Sequence, residues 1–205
     1  VLIVGATFGI GHELAKQYVN SSDTLVLLGR TEAKLEEFKK EFSDRKAKII
    51  TDNLDVTIVS QCAEKISNIL KICPIIDKVI YCSGYYQPHN TFEIDLSLFK
   101  KTMDVNFMGM INIFSVLLPH LKNQNHGHLG IVASLAGFGG LPNSSSYGPS
   151  KAAMMNYAES IKIDCDKYNI KVSVINPGFV QSRLTEKNTF DMPFLMSAEK
   201  AASII

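Results

Sequence analysis

The chain lacks any Cys-x-x-Cys pair, any long apolar run and any block of like charge, and each absence removes a class of function. Its four cysteines, Cys62, Cys73, Cys82 and Cys165, are scattered through apolar periodic segments, which argues against a disulfide scaffold and for packed, reduced thiols in a cytoplasmic protein. His126 and His128 stand close together in Asn125-His126-Gly127-His128 but have no third ligand nearby. A turn ahead of a strand is the simpler reading, and no metal is expected. No stretch reaches the roughly 18 apolar residues of a membrane span, and no basic-then-apolar leader is present. Lys and Arg number 21 against 20 Asp and Glu, a net charge of +1, so nucleic-acid or anionic-membrane binding has no support. Internal repeats and low-complexity linkers are also missing; Pro142-Asn143-Ser144-Ser145-Ser146 reads as a loop ahead of a helix.

What remains suits one α/β domain with a sizeable core, since the 205 residues are 46% hydrophobic and 20% charged with no shift in composition along the chain. Six short segments, Val1–Val4, Thr24–Leu28, Ala47–Thr51, Lys78–Cys82, Leu129–Ser134 and Lys171–Ile175, read as strands. Between them, Gly11–Asn20, Glu32–Phe42, Ile58–Lys71, Ser97–Lys122 and Tyr147–Tyr168 carry apolar residues at three- and four-residue spacing, as helices packed on a sheet do. This alternation predicts a three-layer, doubly wound parallel sheet with helices on both faces and a ligand crevice at the carboxyl ends of the strands. The first residue already lies in a strand, no Met precedes it, and Ala198–Ile205 reads as a helix that stops uncapped. A lost N-terminal extension and a lost C-terminal strand are therefore expected beyond the single domain at 1–205.

The first strand runs straight into Gly5-Ala6-Thr7-Phe8-Gly9-Ile10-Gly11 and then a helical pattern. Random placement of 13 glycines would give this GxxxGxG spacing roughly 0.05 times per chain, so its position between strand and helix carries weight. Spare backbone N–H groups and the positive helix end converge there, a site suited to a pyrophosphate, with Thr7, Phe8 and Ile10 completing the cradle. Gly5 would permit the turn, Gly9 the close approach of a ligand, and Gly11 the packing of helix on strand. The alternative is a plain turn that binds nothing. The second strand ends in Gly29-Arg30-Thr31, where an acidic residue would bind the ribose hydroxyl of NAD and an arginine the 2′-phosphate of NADP. Arg30, with Thr31 as an extra donor, therefore predicts NADP; a solvated Arg30 with Glu32 nearby is the reading that leaves NAD possible.

Tyr147-Gly148-Pro149-Ser150-Lys151 opens a helix, and residues four apart share a helical face. Chance alone yields about 0.6 Tyr-x-x-x-Lys pairs in a chain of this composition. Context supplies the weight, because Ser134 at the end of the fifth strand is expected to point into the same crevice.

Taken together, these residues resemble the short-chain dehydrogenase/reductase family in its single-domain branch. The resemblance covers nearly the whole chain and rests on Gly5, Gly9 and Gly11, Asp55-Val56, Ser83-Gly84, Asn106, Ser134, Tyr147, Lys151 and Pro177-Gly178, in that order. It implies a Rossmann fold and hydride exchange between a nicotinamide cofactor and a carbonyl or alcohol, with Asn106, Ser134, Tyr147 and Lys151 as the catalytic tetrad. Tyr147 is expected to move the proton, Ser134 to hold the substrate oxygen, Lys151 to lower the phenol pKa and hold the cofactor ribose, and Asn106 to open its helix and seat a water. An ammonium about 4 Å away at an effective dielectric of 20 is worth up to roughly 4 kcal/mol, about three pKa units. The same resemblance gives Asp55, Val56, Ser83, Gly84, Asn106, Tyr147, Lys151, Pro177, Gly178, Val180 and Ser182 to the cofactor, and 183–196 to a substrate lid.

Several positions depart from the family pattern. Val4 replaces a threonine, Phe8 replaces a small or basic residue and removes one possible 2′-phosphate contact, Tyr81-Cys82-Ser83-Gly84 replaces Asn-Asn-Ala-Gly, and Ser182 replaces a threonine. In the lid, Leu184, Phe190, Phe194 and Leu195 fit either an apolar substrate or closure of the domain's own core. The apolar helices around Phe107–Phe114 and Met154–Tyr157 imply, by the same resemblance, a homodimer or homotetramer. A catalytically silent NADP sensor is the alternative function, which the complete Ser-Tyr-Lys set argues against. A two-domain epimerase or dehydratase would use GxxGxxG and a further domain, and neither is seen.

Overall fold

The computed structural model describes residues 1–205. Six strands, β1 (Leu2–Val4), β2 (Thr24–Gly29), β3 (Lys48–Asn53), β4 (Lys78–Tyr81), β5 (Gly127–Val132) and β6 (Ile170–Ile175), form one sheet in the order β3-β2-β1-β4-β5-β6. Every pairing is parallel, so each connection must cross over a face. The crossovers carry the helices α1 (Gly9–Tyr18), α2 (Glu32–Glu41), α3 (Val59–Ile72), α4 (Leu96–Met103), α5 (Gly109–Gln124) and α6 (Tyr147–Asp166), with α7 (Ala198–Ala202) after β6. The expected three-layer doubly wound sheet is the observed fold, with the order reversing between β1 and β4.

Side-chain alternation along the strands divides the core in two. Leu2, Val4, Val26, Leu28, Val79 and Tyr81 point to the larger side, where α3, α5 and α6 supply Ile66, Ile113, Phe114, Leu117 and Met154. Ile3, Leu25, Leu27 and Ile80 point the other way, against Leu14, Leu35, Phe38 and Ala202 of α1, α2 and α7. Strands apolar on both faces belong in a parallel sheet covered by helices. Cys62 and Cys165 are buried in the larger core, and all four thiols are unpaired.

The expected single helix Ser97–Lys122 is a continuous run from Leu96 to Gln124, but residues Asp104–Met108 at its middle form a π-helical turn. By length and composition this 29-residue run is apolar enough to cross a membrane, which Lys100, Lys101 and Asp104 concealed in the sequence. Its apolar side is nevertheless spent on the core, with Met110, Ile113, Phe114, Leu117 and Leu121 fully buried.

Candidate active site

The carboxyl ends of the central strands open onto a crevice of about 310 Å³. After β1 the chain turns through Gly5 at φ +91°, where a Cβ would stand 2.6 Å from the Ser83 amide nitrogen, so both the conformation and the space demand glycine. A Cβ on Gly11 would run into the Gly5 carbonyl, which brings α1 tight against the turn. Phe8 precedes α1 in extended backbone, offers no side-chain cap, and no acidic residue occupies the first turn. The early N–H groups of α1 thus have no side-chain acceptor where Phe8, Gly9, Ile10 and Gly11 line the crevice, and such a helix end accepts an anion. The glycine cradle with its spare donors fits the pyrophosphate of a dinucleotide.

Thr7 lines the same wall, followed by Arg30 and Thr31 after β2, Asp55 and Val56 after β3, and Ser83 and Gly84 after β4. Arg30 is exposed and joins none of the eight ion pairs. Burial works against ionisation of Asp55, but hydrogen bonds from the Thr57 hydroxyl and N–H, with Arg30 nearby, hold its carboxyl below the usual range. Pro177, Gly178, Val180 and Ser182, beyond β6, close the far side.

Ser134, Tyr147 and Lys151 converge on this crevice. Strand pairing stops at Val132, so Ser134 lies two residues past β5 and not within it; its hydroxyl accepts from the Ala136 N–H at 3.2 Å. Tyr147 and Lys151 occupy successive turns of α6, with the ammonium 5.6 Å from the phenol ring centroid.

The expected electrostatics are reversed. Burial pushes the Tyr147 phenol up to about 12; the Ser134 hydroxyl opposes this and Tyr86, edge-on to the ring at 5.1 Å, adds to it. Burial also brings Lys151 down to about 8. Its ammonium, 3% exposed, donates to the Val132 carbonyl at 2.9 Å. The cost of desolvating a phenolate outweighs the attraction of a lysine whose charge is directed at a backbone carbonyl.

Asn106, expected to reach the cofactor, lies behind the crevice wall. It is fully buried in the π-helical turn, where its Oδ1 accepts from the Tyr85 N–H at 2.6 Å and its Nδ2 donates to the Tyr85 carbonyl at 3.0 Å and to Ser150 Oγ at 2.8 Å. It fixes the loop after β4 onto α6. The wider helical turn is what aims an amide from mid-helix at a neighbouring backbone.

Tyr86 was not among the expected site residues. The Tyr86 phenol donates to Asn188 Oδ1 at 3.0 Å, and Lys187 Nζ donates to the Tyr86 carbonyl at 2.7 Å, tying segment 183–196 to the ring that packs on Tyr147. Cys82 lies beneath the crevice, its thiol pushed up to about 12 by burial. Arg183 stacks its guanidinium 3.3 Å above the centre of the Phe8 ring. In the rest of segment 183–196, Leu184 lines the crevice, whereas Phe190, Phe194 and Leu195 are 38%, 94% and 40% exposed and so do not close the core.

A family model described as short chain dehydrogenase matches residues 1–192. An uncharacterized oxidoreductase of Myxococcus xanthus is 30% identical over 204 residues, which is 100% of this chain and 81% of that protein. Dehydrogenase/reductase SDR family member 7B of Xenopus laevis is 29% identical over 90% of this chain, which spans only 59% of the frog protein. Among solved structures, ElxO with NADP bound superposes with a TM-score of 0.89 at 23% identity, over 98% of this chain and 87% of its own. NAD+-bound xylitol dehydrogenase gives 0.83 at 25% identity, over 88% and 70%. With a crevice built for a dinucleotide and a family match across nearly its whole length, the chain belongs to the short-chain dehydrogenase/reductase family of NAD(P)-dependent oxidoreductases.

Proposed function

We propose that the chain interconverts a carbonyl and an alcohol with preference for NADP, using Tyr147 as the proton carrier. The convergence of Ser134, Tyr147 and Lys151 on the crevice beside the glycine cradle carries this reading. The bound nicotinamide supplies the hydride in reduction and accepts it in oxidation. A phenol near pKa 12 stays protonated at neutral pH, which suits Tyr147 to donate to the carbonyl oxygen. Ser134 Oγ is placed to hold that oxygen as charge develops on it, while Lys151 keeps a positive charge near the phenol below about pH 8.

Arg30 supports the NADP preference: it joins no ion pair and borders a second hollow in which Lys100 is paired with Asp104, leaving the Arg30 guanidinium free for a 2′-phosphate. The exposed Phe190, Phe194 and Leu195 favour a substrate with an apolar portion. Met108 and Ile163, both exposed, are the residues that a dimer through α5 and α6 would cover. The test is a panel of ketones, aldehydes and 3-oxoacyl thioesters followed by NADPH absorbance. Tyr147→Phe should abolish reduction while NADPH binding persists. Turnover of that variant at the parental rate, or equal efficiency with NADH, would sink the corresponding half of the proposal.

A further inference from the structure

We infer that Phe8 and Arg183 form a clasp across the cofactor crevice, in which the Phe8 ring is the platform that holds Arg183 ready to bind the pyrophosphate of the dinucleotide. The inference rests on the crevice being the cofactor site and adds a cationic ligand from the lid. Phe8 stands at the N-terminus of α1, where a serine, threonine, aspartate or asparagine would satisfy helix N–H groups. An aromatic ring can do nothing of the kind, yet it is only half-buried and faces the crevice. What it does meet is the Arg183 guanidinium, whose Cζ lies over its face 3.3 Å from the ring centre, the placement in which a π-face attracts a cation.

Arg183 is otherwise uncommitted. It joins no ion pair and its five N–H donors have no hydrogen-bond partner in the protein, although it lines the crevice. Its backbone, by contrast, is held firmly. The Ser182 N–H donates to Thr185 Oγ1 at 3.0 Å, Thr185 Oγ1 donates to the Val180 carbonyl at 2.7 Å, and the Glu186 N–H donates to the Ser182 carbonyl at 3.0 Å. Ser182 lies directly over the glycine turn, so that a Cβ on Gly9 would stand 3.5 Å from the Ser182 Cβ. A planar fork of donors is thus carried on a firm turn beside the α1 N-terminus and held over a ring. Guanidinium is the group suited to bidentate pairing with phosphate oxygens.

Arg30 and Arg183 make separable demands. Arg30 reads the 2′-phosphate, which only NADP carries, whereas the pyrophosphate is common to NADP and NAD. The experiment is titration of the intact protein with NADPH and with NADH, following cofactor fluorescence and the heat of binding; the chain contains no tryptophan to confuse the optical signal. Arg183→Ala should weaken both cofactors by about 10- to 100-fold, the range for a charge-assisted hydrogen bond, and leave their ratio unchanged. Arg183→Lys should recover only part of the loss, and Phe8→Leu should weaken binding in wild type but have no further effect in Arg183→Ala. Circular dichroism checks that each variant is folded. Unaltered binding by Arg183→Ala, or a loss confined to NADPH, would overturn the inference while leaving the cofactor site in place. A wild-type protein that binds neither cofactor would overturn both.

Discussion

Lys151 is costly to the fold in the state that the chemistry needs, and replacing it with methionine separates the two. Lys151→Met keeps the length of the side chain and removes the charge. In the folded protein Lys151 titrates near 8 against an ordinary 10.5, and at 1.36 kcal/mol for each tenfold change this difference costs about 3 kcal/mol when the lysine is charged in both states. The unfolded chain binds the proton more tightly, so stability rises with pH between about 8 and 10.5. The penalty is full below pH 8 and shrinks to about 1 kcal/mol at pH 10. Loss of the bond to the Val132 carbonyl takes back about 1 kcal/mol. Lys151→Met should therefore be more stable than wild type by about 2 kcal/mol at pH 7 and nearly equal to it at pH 10. Carbonyl reduction should meanwhile fall by at least about 100-fold. Denaturant midpoints at the two pH values, read by circular dichroism, measure the gap, and NADPH oxidation measures the activity. A variant less stable than wild type at pH 7, or a gap that does not change with pH, would show that burial is not what lowers Lys151.

Under the proposed mechanism the same two groups set the pH profile. Carbonyl reduction should decline as pH rises through about 8, where Lys151 loses its charge, with no separate loss from Tyr147 until near 12; a plateau from pH 7 to 10 would contradict this. Asn106→Ala removes three buried hydrogen bonds and should cost about 3 kcal/mol, a drop in melting temperature of roughly 6–12 °C for a chain of this size, measured by thermal unfolding. Gly5→Ala adds a Cβ that would stand 2.6 Å from the Ser83 nitrogen at a positive φ; it should weaken NADPH and NADH alike in titration and lower the melting temperature. Arg30→Glu should shift relative efficiency from NADPH toward NADH in steady-state kinetics, and an unchanged ratio would remove Arg30 from cofactor selection.

Backbone patterns were easier to read from the chain than contacts across the crevice. All six strands were found within a few residues because parallel strands covered on both faces are apolar throughout, and a turn or polar stretch bounds each. The expected end of β5 at Ser134 lies two residues too far, because Ala133 continues the apolar run beyond Val132, the last residue paired with β6. The order of Gly5, Gly9, Gly11, Tyr147 and Lys151 was legible because each meets a local demand: positive φ, a tight helix approach, or four-residue spacing on one helical face. Asn106 differs. The expected local opening of its helix is present as the π-helical turn Asp104–Met108, but the aim of its amide at Tyr85 instead of the crevice depends on packing and could not be read from spacing.

The electrostatics were misjudged for a similar reason. A pairwise estimate between Lys151 and Tyr147 ignores the medium, and burial acts on both groups, driving them toward their neutral forms together. The outcome bears on direction. A neutral phenol can give a proton but not take one, so the arrangement of Lys151 on the Val132 carbonyl and Tyr147 against Tyr86 favours reduction over oxidation at neutral pH. For oxidation, Tyr147 must ionise, and raising the pH to achieve this discharges Lys151 first, since about 8 lies well below about 12. Alcohol oxidation should therefore show no optimum at which both groups are charged, and its rate at pH 9 should remain below the reductive rate at pH 7 under saturating cofactor. Oxidation that overtakes reduction at pH 9 would mean that a charged lysine does lower the phenol pKa during turnover, against the order of titration read from the fold.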